Sequence, residues 1–188
     1  MSGRAPGAPP AGGGKPLVVL TGPPAAGKTV VGEMLSGRLG AAFVDTDADV
    51  AAAAGKPVAD VFVDDGEPAF RDLERAAAGR ALATAGAVVA LGSGAVLDPA
   101  VQELLRGQAV AYLSAGFPAI ARRLGLDRPR VVIPGNPRGQ LRAMLEERRP
   151  VYEDLAAFTV RSDDLAPEEI ADEVAAWLSQ AQPGAAPR

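Results

Sequence analysis

The stretch GPPAAGKT at residues 22–29 decides the fold of this chain, because it satisfies the pattern G-x-x-x-x-G-K-[ST] between an apolar run and a helical pattern. The apolar run is Leu-Val-Val-Leu at 17–20, and the helical pattern ends at Gly40. The apolar face of that helix consists of Val31, Met34, Leu35 and Leu39. A loop in this setting presents main-chain N–H groups and a helix N-terminus to an anion, so the sequence predicts a phosphate-binding loop.

The residues of this loop predict how a nucleotide is held. Main-chain N–H groups wrap the β-phosphate, Lys28 balances charge between the β- and γ-phosphates, and the Thr29 hydroxyl ligates Mg²⁺. The chain has no Cys and no His, which excludes disulfides, thiolate metal sites and imidazole chemistry. The kind of metal site left open is a hard cation bound through oxygen ligands, so we expect Mg²⁺ as the cofactor and ATP as a co-substrate.

Composition narrows the class of partner. The 19 Lys and Arg residues stand against 23 Asp and Glu residues, and the net charge of −4 disfavours a nucleic-acid surface. No apolar run approaches the roughly 20 residues of a membrane helix, and the N-terminus lacks the apolar core of a signal peptide. We therefore expect a cytoplasmic monomer whose partners are small molecules, with no nucleic acid and no membrane among them.

Short apolar runs alternate with longer helical patterns, which predicts an α/β fold with a five-stranded parallel sheet. The runs lie at 17–20, 41–44, 87–91, 109–113 and 158–160. A last helix is expected to begin at Pro167. Its apolar face consists of Ile170, Val174, Trp177 and Leu178.

The two ends of the chain and one internal segment differ from this pattern. Residues 1–15 and 181–188 hold too little apolar surface to offset the entropic cost of ordering them, so we expect disordered tails around a single domain at 16–180. The segment at about 124–139 carries three prolines and three glycines between two helical patterns. We interpret it as a mobile lid, and a surface loop of no special role is the alternative.

Two carboxylates follow the second predicted strand, in Asp45-Thr46-Asp47. Alternation along an extended segment would point both to the same side, and the carboxyl ends of parallel strands share one crevice with the phosphate loop. One carboxylate could then hold Mg²⁺ while the other accepts a proton from an attacking hydroxyl. Helix capping is the alternative role for this pair.

A glycine turn and two arginines complete the candidate site. Gly92-Ser93-Gly94 follows the third predicted strand and lets the backbone approach a ligand, although an ordinary strand-to-helix turn would look the same. Arg148 lies on the apolar face of a helical pattern at about 138–149, so its guanidinium needs either an anionic substrate or an internal carboxylate. Arg71 could add a second contact, with a solvated surface position as the alternative.

Taken together and in this order, the motifs resemble those of the shikimate kinase family over residues 17 to about 180. That family has a phosphate loop, D-[ST]-D, a D-G-E…F-R segment, an L-G-G-G-A turn, a lid arginine and R…P-x-Y. The counterparts here are GPPAAGKT at 22–29, Asp45-Thr46-Asp47, Asp65-Gly66-Glu67 with Phe70-Arg71, Leu91 to Ala95, Arg130, and Arg148 with Pro150-Val151-Tyr152.

The resemblance implies a three-layer α/β/α P-loop fold with sheet order 2-3-1-4-5, and ATP-dependent phosphorylation of the 3-hydroxyl of shikimate. Asp47 would contact the acceptor's hydroxyls and serve as base, while Arg71 and Arg148 would clamp its carboxylate. The implied acceptor-binding residues are Asp47, Arg71, Ser93, Gly94 and Arg148.

On the nucleotide side, the resemblance implies that Arg130 swings in with the lid to join Lys28 in neutralising the transferring phosphoryl group. Arg123 would lie against the adenine, and Asp45 would join Thr29 as a magnesium ligand. The implied nucleotide-binding residues are Gly22, Ala25, Ala26, Gly27, Lys28, Thr29, Val30, Arg123 and Arg130.

The sequence departs from the family in three places. Ala25 and Ala26 stand where the family often has Gly and a small residue, which would strain a loop that needs positive φ. Ser93 replaces a glycine whose N–H meets the substrate. In the lid, Arg130 is followed by Val131-Val132-Ile133 instead of Pro-Leu-Leu, which leaves Arg128, itself followed by Pro129, as a rival for the lid role. The alternatives are therefore a kinase of another hydroxy acid or cyclitol, and a nucleotide-binding relative without efficient transfer.

Overall fold

The computed structural model describes residues 14–127 and 136–181. The strands are β1 (Val18–Thr21), β2 (Phe43–Asp45), β3 (Val88–Ala90), β4 (Val110–Ser114) and β5 (Phe158–Arg161). The helices are α1 (Lys28–Leu39), α2 (Thr46–Ala54), α3 (Val58–Asp64), α4 (Gly66–Leu82), α5 (Pro99–Leu105), α6 (Phe117–Arg123), α7 (Pro137–Leu155) and α8 (Pro167–Ala181), and a 3₁₀ turn spans Ala95–Leu97.

The five strands form one sheet in the order β2-β3-β1-β4-β5, and every pair is parallel. The predicted sheet and its strand order are thus confirmed. β1 is central, with Val19 opposite Val89 of β3 on one side and opposite Val110 of β4 on the other. Because all strands run the same way, their carboxyl ends lie along a single edge of the sheet.

Both faces of the sheet are covered by helices. Along β1, Val18 and Leu20 pack into a cluster that includes residues of α1 and α8, while Val19 points to the opposite face. That opposite cluster includes Ala78 of α4 and Leu105 of α5. Burial on both faces explains why β1, β3 and β4 are nearly continuous apolar runs without alternation.

One local prediction was wrong at the end of β2. Asp45 is the last residue of the strand and the N-cap of α2, so Thr46 and Asp47 are helical and the extended alternation expected for the two carboxylates does not occur. The cause is the capping bond, in which the Asp47 N–H donates to Asp45 Oδ1 at 3.0 Å. Capping, the alternative role, is therefore present, and it does not remove the carboxylates from the cavity described below.

Helix α7 continues past the predicted end at about 149 and holds Pro150 in its interior. Pro150 removes one main-chain hydrogen-bond donor from the helix. The helix nevertheless continues, because its buried face extends through Leu141, Leu145 and Tyr152. Burial of the Tyr152 side chain on this face accounts for the extra turn. In α1, Leu39 is 37% exposed, although its spacing had placed it on the packed face.

Several predicted segments fall outside the described residues, including Arg130 and Arg128 in the lid and most of both tails. Lys15, which the sequence assigned to the N-terminal tail, contacts the folded core. Its carbonyl accepts from the Gly86 N–H at 3.0 Å, and its Nζ donates to the Gly107 carbonyl at 2.9 Å. None of the helices in the described part of the chain is long and apolar enough to cross a membrane.

Two glycines of α1 allow a matched test of the packing between this helix and β2. A Cβ at Gly32 would collide with the ring of Phe43, whereas a Cβ at Gly37 meets nothing within 4 Å. We expect Gly32→Ala to lower the free energy of unfolding by about 1–2 kcal/mol through overpacking. Gly37→Ala should raise it by about 0.5–1 kcal/mol through helix propensity. Urea titration measures both, and equal effects of the two variants would contradict the packing described here.

Candidate active site

A cavity of about 340 Å³ opens at the carboxyl edge of the sheet, beside the first turn of α1. Its polar lining comes from the loop before α1, from the junction of β2 and α2, and from the turn after β3. The side chains that matter chemically are Lys28, Thr29, Asp45, Asp47 and Ser93. The predicted phosphate loop, carboxylate pair and glycine turn therefore share one cavity, as expected for the ends of neighbouring parallel strands.

The backbone of the phosphate loop explains its glycines. Gly22 has φ +145°, and a Cβ there would lie 2.6 Å from the Leu113 carbonyl oxygen of β4. Gly27 has φ +96° and caps α1. Ala25 has φ +58°, and it is the one non-glycine residue with positive φ in the described ranges. The strain expected from an alanine at this position of the loop is therefore present in the structure.

Lys28 bonds to its own loop. Its Nζ donates to the Gly22 carbonyl at 2.9 Å and to the Pro23 carbonyl at 3.0 Å. Burial lowers the pKa of Lys28 to about 8, although Asp47 and Asp45 oppose this shift. The loop carbonyls thus hold the ammonium group at the cavity in a position from which a phosphate can take it over.

Thr29 and Asp45 form a pair of oxygen donors. The Thr29 hydroxyl donates to Asp45 Oδ2 at 2.7 Å, while Asp45 Oδ1 accepts the capping bond from Asp47. In the described residues no group of three or more acidic side chains could hold a metal. A hydroxyl and one carboxylate suit a cation that keeps several waters and also binds phosphate oxygens, which is how Mg²⁺ is usually held.

Asp47 lies where the carboxylate pair meets the turn after β3. A Cβ at Gly92 would lie 2.7 Å from Asp47 Oδ1, so a side chain at that position would displace the carboxylate. Burial raises the pKa of Asp47, and the nearby Lys28 opposes the shift. The carboxylate is thereby a stronger base than a solvated aspartate, and its charge is compensated by one neighbouring cation.

Arg148 reaches the turn after β3 from α7. Its Nη1 donates to the Ser93 carbonyl at 3.3 Å, and its Nε is buried with no hydrogen-bond partner among the described residues. None of the carboxylates in those residues forms an ion pair with it, so the internal salt bridge considered as an alternative is not seen there. A buried guanidinium N–H without an acceptor indicates a site for an anionic ligand.

Arg71 approaches the same turn from α4. Its Nη1 donates to Glu74 at 2.7 Å and its Nη2 to Glu67 at 3.2 Å. A Cβ at Gly94 would collide with the Arg71 guanidinium, so this side chain lies against the turn. Arg71 is therefore not the freely solvated arginine considered as its default position.

Glu74 is a residue that the sequence analysis missed. It is 3% exposed, and burial raises its pKa while Arg71 opposes the shift. Its position in the helical pattern offered a signal, because it lies one turn after Phe70 and one turn before Ala77 and Ala78, on the buried face of α4. A carboxylate on an apolar face needs a buried partner, and Arg71 supplies it.

Arg123 lies at the end of α6 and contacts the phosphate loop. Its Nη1 donates to the Ala25 carbonyl at 3.0 Å, and its Nη2 donates to the Ser162 carbonyl beyond β5. Val30 lines the cavity and is 45% exposed. The remaining predicted residue, Arg130, and its rival Arg128 lie outside the described residues.

Comparison with known proteins gives a consistent result. The sequence model of the family described as shikimate kinase matches residues 24–179. Shikimate kinase of Thermobifida fusca is 48% identical over 89% of this chain and 97% of its own length, and that of Salinispora arenicola is 48% identical over 87% and 98%. The structure of shikimate kinase from Acinetobacter baumannii in complex with shikimate has a TM-score of 0.80 and 27% identity, covering 90% of this chain and 95% of that one.

The strained alanine of the phosphate loop can be tested by its removal. We expect Ala25→Gly to raise the free energy of unfolding by about 1 kcal/mol, because glycine adopts positive φ without steric cost. Ala26 is the control, since it is 1% exposed and its methyl group packs in the core. Ala26→Gly should lower stability by about 1 kcal/mol. Thermal and urea unfolding would contradict this account if both variants were destabilised alike.

Proposed function

Because the chain belongs to the shikimate kinase family, we propose that it transfers the γ-phosphoryl group of Mg-ATP to the 3-hydroxyl of shikimate. The observation that carries the proposal is the convergence of three groups at one sheet edge. These are the phosphate loop, the base Asp47 in the same cavity, and the guanidinium of Arg148 with an unpartnered buried Nε. A phosphate donor, a proton acceptor and an anchor for a carboxylate are what this transfer requires.

Nucleotide binding involves an exchange of partners at Lys28. The ammonium group leaves the Gly22 and Pro23 carbonyls and bonds the β- and γ-phosphate oxygens, while the main-chain N–H groups of the loop enclose the β-phosphate. Negative charge next to Lys28 raises its pKa again, so it acts as a full cation during transfer. Arg123 can lie against the adenine of ATP while it still contacts the phosphate loop through the Ala25 carbonyl.

Thr29 and Asp45 are the residues that would hold Mg²⁺, Thr29 through its hydroxyl and Asp45 directly or through water. The fit rests on two hard oxygen donors 2.7 Å apart beside the phosphate loop. When bound, the metal supplies positive charge that neutralises the β- and γ-phosphate oxygens. Asp45 stays oriented throughout, because its other oxygen caps α2.

The acceptor is expected to bind between α4, α7 and the turn after β3. Arg148 and Arg71 bind its carboxylate, and Asp47 accepts a hydrogen bond from the hydroxyl that reacts. As the hydroxyl oxygen forms its bond to the γ-phosphorus, its proton passes to Asp47 and the bond to the β,γ-bridging oxygen breaks. ADP then carries away the electron pair of that broken bond.

We assign the neutralisation of charge on the transferring phosphoryl group to Arg130, whose spacing of seven residues from Arg123 matches the family pattern, with Arg128 as its rival in the predicted lid. Ser93 bears on the choice of acceptor. Its side chain lines the cavity, where the family pattern has a glycine. If Ser93 excludes shikimate, another hydroxy acid or cyclitol becomes the acceptor, and a panel of such compounds in the same ADP-release assay distinguishes the two functions.

The proposal predicts shikimate-dependent release of ADP from Mg-ATP. Asp47→Asn keeps the shape of the site and removes the base, so kcat should fall by about 10²–10⁴-fold while ATP binding remains intact. Lys28→Ala is the blank, because it removes the cation that bridges the phosphates. Coupled ADP detection measures turnover, and a fluorescent nucleotide measures binding. Turnover of Asp47→Asn at the wild-type rate would eliminate Asp47 as the base, and no release by the wild-type enzyme would eliminate shikimate.

The carboxylate clamp predicts a selective loss in Arg148→Lys. Lysine keeps the positive charge but cannot form the bidentate hydrogen bonds of a guanidinium group with a carboxylate. KM for shikimate should therefore rise about 10- to 100-fold, with KM for ATP unchanged. Arg149→Lys is the matched control, because Arg149 is the exposed neighbour on the same helix. With the methyl ester of shikimate, Arg148→Lys and wild type should differ little. An equal loss with acid and ester would contradict the clamp.

A further inference from the structure

The Ser93 carbonyl accepts two hydrogen bonds from one face of α7. The Tyr152 hydroxyl donates to it at 2.7 Å, and Arg148 Nη1 donates at 3.3 Å. The two side chains are one helical turn apart, so they point the same way and meet at a single oxygen atom. The proposed function gives Arg148 a role but leaves Tyr152 without one.

The peptide that carries this carbonyl also carries the Gly94 N–H. The peptide unit is planar, and the described residues contain no cis peptide bond, so the N–H points away from the carbonyl. Two bonds that hold the Ser93 carbonyl toward α7 therefore direct the Gly94 N–H away from α7. In the described part of the chain that N–H donates to no main-chain oxygen, and Gly94, although buried, lines a cavity together with Arg71, from which a ligand can reach it.

The other end of the turn is held independently. The Gly92 N–H donates to Thr46 Oγ1 at 2.7 Å. Thr46, the residue between Asp45 and Asp47 in the sequence, is fully buried. On the far side, any side chain at Gly94 would collide with Arg71. The turn is thus fixed at Gly92 by α2 and limited at Gly94 by α4, and the peptide between Ser93 and Gly94 is oriented by α7.

Tyr152 is itself held rigidly. It is 1% exposed, and its ring stacks on Tyr112 of β4 with centroids 5.1 Å apart and planes 17° apart. Burial raises the pKa of Tyr152 to about 12, so the hydroxyl remains a donor over the working pH range. A rigid ring with a permanently protonated hydroxyl can hold a peptide in one orientation at little entropic cost.

We propose that Tyr152 is a positioning residue for the acceptor: its hydroxyl fixes the Ser93–Gly94 peptide, and thereby directs the Gly94 N–H and steadies the Arg148 guanidinium for substrate binding. The inference rests on the proposed function, because it concerns the site assigned to the acceptor. It predicts a defect in acceptor binding when only the hydroxyl oxygen is removed and the stacked ring remains.

The test compares Tyr152→Phe with Tyr112→Phe in the full chain. Each variant removes one phenol oxygen from the same stacked pair, but only Tyr152 contacts Ser93. Tyr152→Phe should raise KM for shikimate about tenfold, with KM for ATP unchanged and kcat changed less than threefold. Tyr112→Phe should leave all three constants within about twofold. Without any substrate, the ¹⁵N-labelled Gly94 amide signal should shift in Tyr152→Phe and stay in place in Tyr112→Phe.

The outcomes separate this inference from the proposed function. If the wild-type chain does not phosphorylate shikimate, the proposed function fails, and an unchanged Gly94 signal in Tyr152→Phe overturns the positioning role as well. If shikimate is phosphorylated, an unaltered KM for shikimate, or an equal rise in both KM values, overturns the inference. If Tyr152→Phe does not fold, hydrogen exchange of the tyrosine hydroxyl protons in the wild-type protein tests the inference instead. Shikimate should slow exchange of the Tyr152 hydroxyl proton more than that of Tyr112, and equal effects overturn the inference.

Discussion

The site depends on the pairing of β1 with β3 on one side and β4 on the other. This parallel register brings the residue after β1, Gly22, so close to the Leu113 carbonyl of β4 that no side chain fits. The parallel pairing of β3 with β2 brings the turn after β3 to the end of β2, where the Gly92 N–H donates to the Thr46 hydroxyl oxygen. The phosphate loop, the carboxylates and the turn are therefore held at one edge by the main-chain ladders of the sheet and by the bond from the Gly92 N–H to the Thr46 side chain.

Charges within this edge are compensated in pairs. Burial weakens the charged state of Lys28 and of Asp47, and each moderates the shift in the other's pKa. Glu74 and Arg71 form a second pair beside the turn. Arg148 differs, because its buried Nε has no acceptor among the described residues. A ligand carboxylate at that position would complete the compensation, which accounts for an anionic acceptor in a chain of net negative charge.

Much of this arrangement could be predicted from sequence because it follows from local patterns. The motif at 22–29, the buried strands and the order of motifs along the chain led to the fold and the family. Two features required three-dimensional information. Asp45 caps α2, because a main-chain donor at Asp47 competes with continuation of the strand. Glu74 contacts Arg71, and Tyr152 contacts a carbonyl 59 residues away in sequence, whereas periodicity shows only that such side chains are buried.

The bonds from Lys28 to the Gly22 and Pro23 carbonyls have a consequence for selectivity among cellular anions. Any anion that takes over the Lys28 ammonium must replace these two hydrogen bonds, each worth about 1 kcal/mol net. A small anion that bonds only the loop N–H groups leaves both of these lysine bonds in place. A polyphosphate that spans both the loop N–H groups and the ammonium gains contacts at both, so the bonds of Lys28 to the loop favour a polyphosphate over a small anion.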